Sequence, residues 1–260
     1  MWKSVISLFL LCFALSFPAL SYVDEVNPVS IEMQHYRSNY FLFDLFETAA
    51  TSKLQVSFKT RVFKDRDFLY FGYTQLMFWQ LRGDSQPFYD LNYNPEFFSR
   101  WYLGTDKVGL DFGFEHESNG VDGPDTRSWH RIYLRFFQEW PFGNNTGIYL
   151  NFKLGVPFLF DPTNMDIAQF RGLYEIHFMW IDFMNCGAIS TSDLNLRLFP
   201  GGKSLINPLE GGMDLTLRFK TRIFDFTLPM FVFQIFWGHA ECLKDYNAPP
   251  VFKFRWGLGF

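Results

Sequence analysis

The chain has 260 residues, of which 48% are hydrophobic and 21% aromatic, and its formal net charge is -4. This charge provides no basic excess for binding nucleic acid, so no nucleic-acid partner is expected. Beyond the N-terminal segment there is no unbroken apolar run of the about 20 residues that a membrane-spanning helix needs, which argues against a helical membrane protein.

The N-terminus has the organisation of a secretion signal. Lys3 precedes an apolar segment from Val5 to Phe17, and the Pro-Ala-Leu-Ser sequence at 18–21 offers small residues for cleavage. We therefore predict a signal peptide at 1–21 and a mature chain at 22–260. The alternative, an anchoring helix, is disfavoured because the apolar segment is short for a membrane span.

From about residue 34 onward, many segments alternate apolar residues with polar or small ones, which is typical of transmembrane barrel strands. Such a strand has one apolar and one polar face. In a soluble sandwich the apolar face would form the core, whereas in a membrane barrel it would face lipid. Three features favour the barrel, namely the secretion signal, the aromatic residues at strand ends and a last segment that ends on Phe260.

The pattern predicts an all-β fold, a 12-stranded antiparallel transmembrane β-barrel preceded by a short periplasmic segment. Short connections follow most even-numbered strands and longer ones follow most of the others, as expected for periplasmic turns and outer loops. The predicted strands are 34–47, 53–63, 68–81, 95–104, 107–118, 128–140, 147–157, 168–181, 185–199, 212–224, 229–240 and 250–260.

Two cysteines, Cys186 and Cys242, lie in the predicted mature chain. The strand order places them toward opposite ends of the barrel, which is too far apart for a disulfide. We therefore expect both to be free.

The fifth predicted strand places His116 and Ser118 on its outward face, two residues apart. That is a costly location for polar side chains unless they are partnered or functional. A neighbouring imidazole can take the proton of a serine whose oxygen attacks a carbonyl. His130, on the outward face of the sixth strand, is the candidate for a third group that orients His116.

The motifs around these residues resemble those of outer-membrane phospholipase A. They occur between residues 73 and 133 in the order and spacing of that family, and the combination of the His-x-Ser-Asn-Gly and Arg-Ser-Trp motifs is specific for it. The matching elements are Tyr73-Thr74-Gln75, Trp79-Gln80-Leu81, Pro87-Phe88, Asn92-Tyr93 with Pro95, His116-x-Ser118-Asn119-Gly120, and Arg127-Ser128-Trp129-x-Arg131-x-Tyr133.

The resemblance implies that Ser118 is the nucleophile, that His116 is the base, and that the backbone amide of Gly120 helps to form the oxyanion hole. The chain departs from the family at the third catalytic residue, which is Asn there and His130 here. A neutral His130 could still accept a hydrogen bond and orient His116, whereas a protonated His130 would oppose the imidazolium formed in catalysis. We therefore expect activity to fall as His130 becomes protonated.

The resemblance also implies a calcium ion and a homodimer. The implied calcium contacts are the Val121 carbonyl, the Thr126 hydroxyl and Ser85 of the partner subunit, and Gln75 corresponds to a polar residue buried in the dimer interface. A cation beside the site would help to stabilise the oxyanion.

The function implied is hydrolysis of acyl ester bonds in glycerophospholipids and lysophospholipids, by an enzyme of the bacterial outer membrane. Three alternatives remain: a structural or transport barrel impaired by His130, a lipid A deacylase, and an omptin-type protease. The protease would need a cluster of carboxylates and histidines in the outer loops, which the sequence lacks. A deacylase also uses Ser and His, but it lacks this combination of motifs.

Overall fold

The structure is a computed structural model that describes residues 33–45, 51–63, 66–82, 84–143, 145–222 and 230–260. The predicted signal peptide at 1–21 lies outside the described residues. The strands are β1 (Gln34–His35), β2 (Tyr40–Asp44), β3 (Thr51–Phe63), β4 (Arg66–Gln80), β5 (Phe88–Leu103), β6 (Thr105–Ser118), β7 (Ser128–Pro141), β8 (Gly147–Phe158), β9 (Tyr174–Ile181), β10 (Ile189–Phe199), β11 (Gly212–Thr221), β12 (Met230–Gly238) and β13 (Val251–Gly259).

The described residues also form one short α-helix, α1 (Ile167–Arg171), and two 3₁₀ turns at Gly123–Asp125 and Pro162–Asn164. No helix in the described ranges is long and apolar enough to cross a membrane.

Strands β2 to β13 each pair antiparallel with their neighbours in the chain, and β13 returns to pair with β2. This pairing closes the sheet, so the predicted all-β, 12-stranded antiparallel barrel is confirmed. The two-residue β1 extends β2 along β3, because His35 pairs with Phe58 and Tyr40 pairs with Gln55.

The barrel is apolar outside and polar inside. On β7, the outward Ile132 and Leu134 are 43% and 47% exposed, whereas the inward Arg131 and Arg135 are 4% and 6% exposed. A soluble protein would bury the apolar face instead, so this inversion identifies a barrel that spans a membrane.

Buried charges inside the barrel are paired with one another. Arg131 lies 2.6 Å from Glu115 and 2.9 Å from Glu175, and Lys153 lies 2.7 Å from Glu115. Removing one partner from such a group would leave an uncompensated buried charge, which makes these residues structural.

An apolar cluster fills the end of the barrel that carries the 119–127 connection. Two of its members come from α1 and others come from the β12–β13 connection, so the long outer connections fold over the barrel end. The cluster comprises Trp129, Ile167, Phe170, Phe199, Phe236, Ala240, Leu243 and Tyr246.

The predicted start of the fourth strand at residue 95 was wrong, because β5 already begins at Phe88. Proline cannot donate to a strand ladder, so Pro95 is an unusual residue in the middle of a strand. Within β5, Pro95 pairs with Tyr73, and the neighbouring side-chain amide of Asn94 donates to the His116 carbonyl at 2.9 Å. The Asn94 side chain thus replaces the hydrogen bond that Pro95, which has no N–H, cannot donate. The strand therefore continues through the proline.

The predicted strand at 168–181 was also wrong over its first part. Residues 167–171 form α1, which places Ile167 and Phe170 on one helical face inside the apolar cluster. Gly172 ends the helix with a φ of 67°, and a Cβ there would lie 2.3 Å from Pro200 Cγ. The strand begins only at Tyr174.

The first predicted strand, 34–47, is interrupted between β1 and β2, and residues 46 and 47 lie outside the described ranges. At the interruption, the Asn39 side-chain oxygen accepts a hydrogen bond from the Ser57 backbone amide at 2.6 Å. A side chain thus replaces a ladder bond there. The other predicted strands agree with the observed ones within a few residues, and the predicted positions 223, 224 and 229 lie outside the described ranges.

Both cysteines are free, as predicted. Cys186 is exposed in the β9–β10 connection, whereas Cys242 is buried in the β12–β13 connection at the other end of the barrel.

Candidate active site

Ser118 and His116 lie at the end of β6, on its outward face, where both are partly buried. The alternation of β6 puts them on the same side as the exposed Phe112 and Phe114. Across the ladder His116 pairs with His130 of β7. The predicted trio of Ser118, His116 and His130 therefore shares one patch of the outer surface.

The two histidine rings are in direct contact. His116 Nδ1 lies 3.0 Å from His130 Nε2, and the ring centroids are 4.5 Å apart. The other nitrogen of His130, Nδ1, lies 3.1 Å from the main-chain carbonyl oxygen of Leu159. A continuous chain of hydrogen bonds thus runs from His116 through His130 to the backbone.

Aromatic rings surround this pair on the lipid side. His130 lies 5.7 Å from Phe114 and 5.8 Å from Phe158, measured between ring centroids. These rings limit the access of water, and hydrogen bonds are stronger where the local dielectric constant is low.

The Ser118 hydroxyl makes no hydrogen bond to His116 within the described part of the chain. Catalytic hydrogen bonds are often long in the absence of substrate and tighten when it binds. Ser118 and His116 can therefore act as a nucleophile and its base without a hydrogen bond between them in the free protein. The His116 Nε2 atom takes no part in the contacts to His130 and Leu159.

The backbone after Ser118 turns sharply at Gly120, whose φ is 64°. Only glycine adopts this conformation without strain, and a Cβ there would lie 2.9 Å from Tyr93 Cε2. The buried side chain of Asn119 organises the connection, because it donates to the Asp125 carbonyl at 2.9 Å and accepts from the Arg127 amide at 2.9 Å.

Two of the three predicted calcium contacts are neighbours in the structure. The Thr126 hydroxyl donates to the Val121 carbonyl at 2.8 Å, and Val121 is 45% exposed. An accessible carbonyl and a hydroxyl are oxygen donors of the kind that calcium prefers, so these residues fit the ion. The described residues contain no cluster of three or more His, Cys, Asp or Glu side chains suited to a metal.

The third predicted contact, Ser85, is exposed in the β4–β5 connection with a φ of 62°. Among the described residues of a single chain, no hydrogen bond joins it to Val121 or Thr126. Gln75, the predicted interface residue, lies on the outward face of β4 and accepts a hydrogen bond from the Tyr73 hydroxyl.

Three residues behind the site escaped the sequence analysis. Arg171 of α1 donates to Glu117 at 2.6 Å and to the Ala240 carbonyl at 2.7 Å. Asn164 and Leu159 belong to the β8–β9 connection, and Asn164 contacts the backbone of Ser128. These residues lie 29 to 69 positions from their partners, and no motif marks them.

Comparisons with known proteins agree with this architecture. Residues 17–260 match the family of phospholipase A1. A protein of Neisseria meningitidis serogroup B is 42% identical over 214 residues, which cover 76% of this chain and 51% of the relative. Phospholipase A1 of Proteus vulgaris is 34% identical over 253 residues, which cover 86% of this chain and 79% of the relative.

The chain thus spans about half the length of the Neisseria relative. Among solved structures, the Salmonella typhi outer membrane phospholipase dimer with bound calcium superposes with a TM-score of 0.68. The two chains are 21% identical, and the match covers 91% of this chain and 94% of the other.

Proposed function

Because the chain belongs to the phospholipase A1 family, we propose that it is an enzyme of the bacterial outer membrane that hydrolyses acyl ester bonds of glycerophospholipids and lysophospholipids. The observation that carries the proposal is the contact of His116 with His130 beside Ser118, on the lipid-facing surface of the barrel. Acyl chains of membrane lipids contact that surface, so the substrate can reach the site sideways from the bilayer.

The positions of the side chains support the following reaction. Ser118 Oγ attacks the ester carbonyl while His116 Nε2 takes its proton, and a tetrahedral oxyanion forms. The oxyanion then collapses to an acyl-enzyme as the lysophospholipid oxygen leaves with the proton from His116. A water molecule, deprotonated by His116, attacks the acyl-enzyme and releases the fatty acid, which regenerates Ser118.

The neighbouring residues support these steps. His130 orients the ring of His116, and the backbone amide of Gly120 donates to the oxyanion. Removing a single donor of this kind costs about 10²- to 10³-fold in kcat.

Calcium and a second subunit complete the proposed site. The Val121 carbonyl and the Thr126 hydroxyl of one subunit, with Ser85 of the second subunit, would hold the ion, which supplies positive charge next to the oxyanion. Gln75 would lie in the interface of this homodimer. The outward position of Gln75 on β4 supports this arrangement, because a polar amide on the lipid-facing surface is costly unless a partner covers it.

The test is a phospholipase assay in mixed detergent micelles with calcium or with a chelator. We expect Ser118→Ala to lower kcat by roughly three orders of magnitude or more, and we expect chelation to lower the activity of the wild type. Ser99→Ala is the matched control, because Ser99 lies on the same outer surface but toward the other end of β5, where its hydroxyl donates to the Phe112 carbonyl at 3.3 Å.

Equal hydrolysis by wild type and Ser118→Ala would refute the proposal. A wild type that hydrolyses no ester and does not react with a serine-directed sulfonyl fluoride would instead favour a structural barrel.

A further inference from the structure

The hydrogen-bond chain at His130 restricts where its proton can lie. A carbonyl oxygen only accepts, so the contact with Leu159 requires a proton on His130 Nδ1. A neutral imidazole carries one ring proton, and His130 Nε2 therefore has a free lone pair. The 3.0 Å contact between this atom and His116 Nδ1 then requires His116 to be the donor.

This assignment determines what His116 presents to Ser118. With its proton on Nδ1, His116 has a lone pair on Nε2, which is the atom that must accept the serine proton. If His130 carried its proton on Nε2, it would donate to His116 Nδ1, and His116 would place an N–H where a lone pair is needed. The tautomer of His130 therefore decides whether His116 can act as a base.

The backbone at Leu159 is shaped for this contact. The β7–β8 ladder runs as far as the pair of His130 with Phe158, and Leu159 directly after it has a φ of 48°. A carbonyl within the ladder lies in the plane of the sheet, out of reach of a side chain that projects from the sheet face. The left-handed conformation, rare for leucine, breaks the ladder and brings the carbonyl to the outward ring of His130.

The connection that carries Leu159 is tied to β7 close to His130. Asn164, which is 0% exposed, accepts from the Ser128 amide at 3.1 Å and donates to the Ser128 carbonyl at 3.1 Å. The Asp161 amide donates to the same carbonyl at 3.0 Å. Ser128 lies two residues before His130, so these three bonds set the position of the connection relative to the ring.

We propose that the Leu159 carbonyl, held in place by Asn164, selects the Nδ1–H tautomer of His130 and through it makes His116 a competent base. The proposal rests on the proposed function. It assigns Asn164 as a positioning residue, and it explains how His130 can occupy a position where the resembling family has Asn.

Tautomers can be read directly by long-range ¹H–¹⁵N correlation NMR on the full chain, labelled with ¹⁵N-histidine and refolded in detergent micelles. The chain has five histidines, and His116→Gln and His130→Gln spectra assign the two relevant rings. We expect both rings in the Nδ1–H form at neutral pH, although free histidine favours Nε2–H. A His130 ring found in the Nε2–H form would overturn the proposal.

The matching variant is Asn164→Ala, compared with Asn207→Ala in the β10–β11 connection. We expect Asn164→Ala to populate the Nε2–H form of His130 and to lower kcat about tenfold, with KM changed less than twofold, while Asn207→Ala leaves both readouts as in the wild type. A folded Asn164→Ala with wild-type tautomers and kcat would refute the role of Asn164.

The tautomer signal does not depend on turnover. Failure of the Ser118→Ala comparison would refute the proposed function, whereas the wild-type NMR spectrum alone decides the proton positions, even if Asn164→Ala does not fold.

Discussion

His116 and His130 are polar groups on a surface that faces hydrocarbon, where an unpaired polar group is costly. Each ring provides a hydrogen-bond partner for the other, and the Leu159 carbonyl is the partner of the second nitrogen of His130. The chain of bonds therefore lowers the cost of placing imidazoles in lipid, and it leaves His116 Nε2 as the ring nitrogen for which the described residues provide no hydrogen-bond partner. That atom is the one that the proposed reaction uses.

Acidification should prevent His116 from acting as a base. A protonated His130 donates from both nitrogens, so His116 would have to accept at Nδ1 and present N–H to Ser118. In His130→Asn this route to inactivation is absent, because the amide cannot become a second imidazolium beside His116. We therefore expect activity to fall toward low pH in the wild type, and we expect the acid limb of His130→Asn to differ from it in shape.

The measurement is kcat/KM against pH at saturating calcium. The neighbouring carboxylate, Glu117, points into the barrel and pairs with Arg171 at 2.6 Å, so it contributes no titrating group on the outward side. Profiles of identical shape and position for wild type and His130→Asn would contradict the expectation.

Gly120 allows a direct test of the oxyanion donor. Gly120→Ala places a methyl group 2.9 Å from the Tyr93 ring at a φ of 64°, so the backbone amide must move. We expect kcat to fall by about 10²-fold or more and the free energy of unfolding to fall by about 1–2 kcal/mol.

The control is Gly104→Ala, where φ is 81° but no atom lies within 4 Å of the added Cβ. This turn joins β5 and β6 at the other end of the barrel, so the variant carries similar backbone strain without touching the site. Steady-state kinetics and denaturant unfolding should show a similar loss of stability but wild-type kcat. Equal kcat for both variants would argue against a role of the Gly120 amide.

At the scale of elements, the sequence predicted the strands well where the physical signal is local. Alternation with a period of two residues marks β6, β7 and β8, and it determines the face of the sheet on which each of their side chains lies. His116, Ser118 and His130 were therefore placed correctly on one surface.

Non-local signals were missed. The helix α1 is apolar because it packs under the outer connections, and a short apolar segment looks the same whether it faces lipid or a buried cluster. Leu159 acts through its main-chain carbonyl, and the identity of its side chain gives no indication of that role. Asn164 is buried, but in the sequence it looks like any other polar loop residue. Such contributions become visible only once the tertiary contacts are known.

Helix α1 is held against β6 by a buried ion pair, which makes it a good element to perturb. Arg171→Ala would remove the charge that pairs with Glu117. Among the described residues, that carboxylate would keep the Trp129 indole as its hydrogen-bond partner. Breaking a buried pair in this way costs about 3–5 kcal/mol. We expect a lower urea midpoint in detergent, followed by tryptophan fluorescence.

The double variant Glu117→Gln with Arg171→Met should recover part of that loss, because neither partner then carries an uncompensated charge. Arg222→Ala serves as control, since Arg222 is exposed and changes at exposed sites usually stay within about 0.5 kcal/mol. An Arg171→Ala midpoint equal to that of the wild type would show that the pair does not stabilise α1.

The two ends of the barrel differ in structure. The proposed active site and the apolar cluster lie at the end with the long connections, and the exposed Cys186 lies in a connection at the other end. In a barrel with long outer loops and short periplasmic turns, this arrangement places Ser118 toward the outer leaflet and Cys186 toward the periplasm.

The two cysteines make this orientation testable with a membrane-impermeant maleimide. Cys186 is exposed and should react in detergent-solubilised protein but not on intact cells, because it would face the periplasm. Burial, together with the nearby Asp90 carboxylate, raises the pKa of the Cys242 thiol, so this residue should react only after unfolding in urea. Leu209→Cys, at a position 82% exposed in the β10–β11 connection, should be labelled on intact cells. Labelling of the wild type on intact cells, or labelling in detergent that persists in Cys186→Ser, would show that the barrel has the opposite orientation or that Cys242 is accessible.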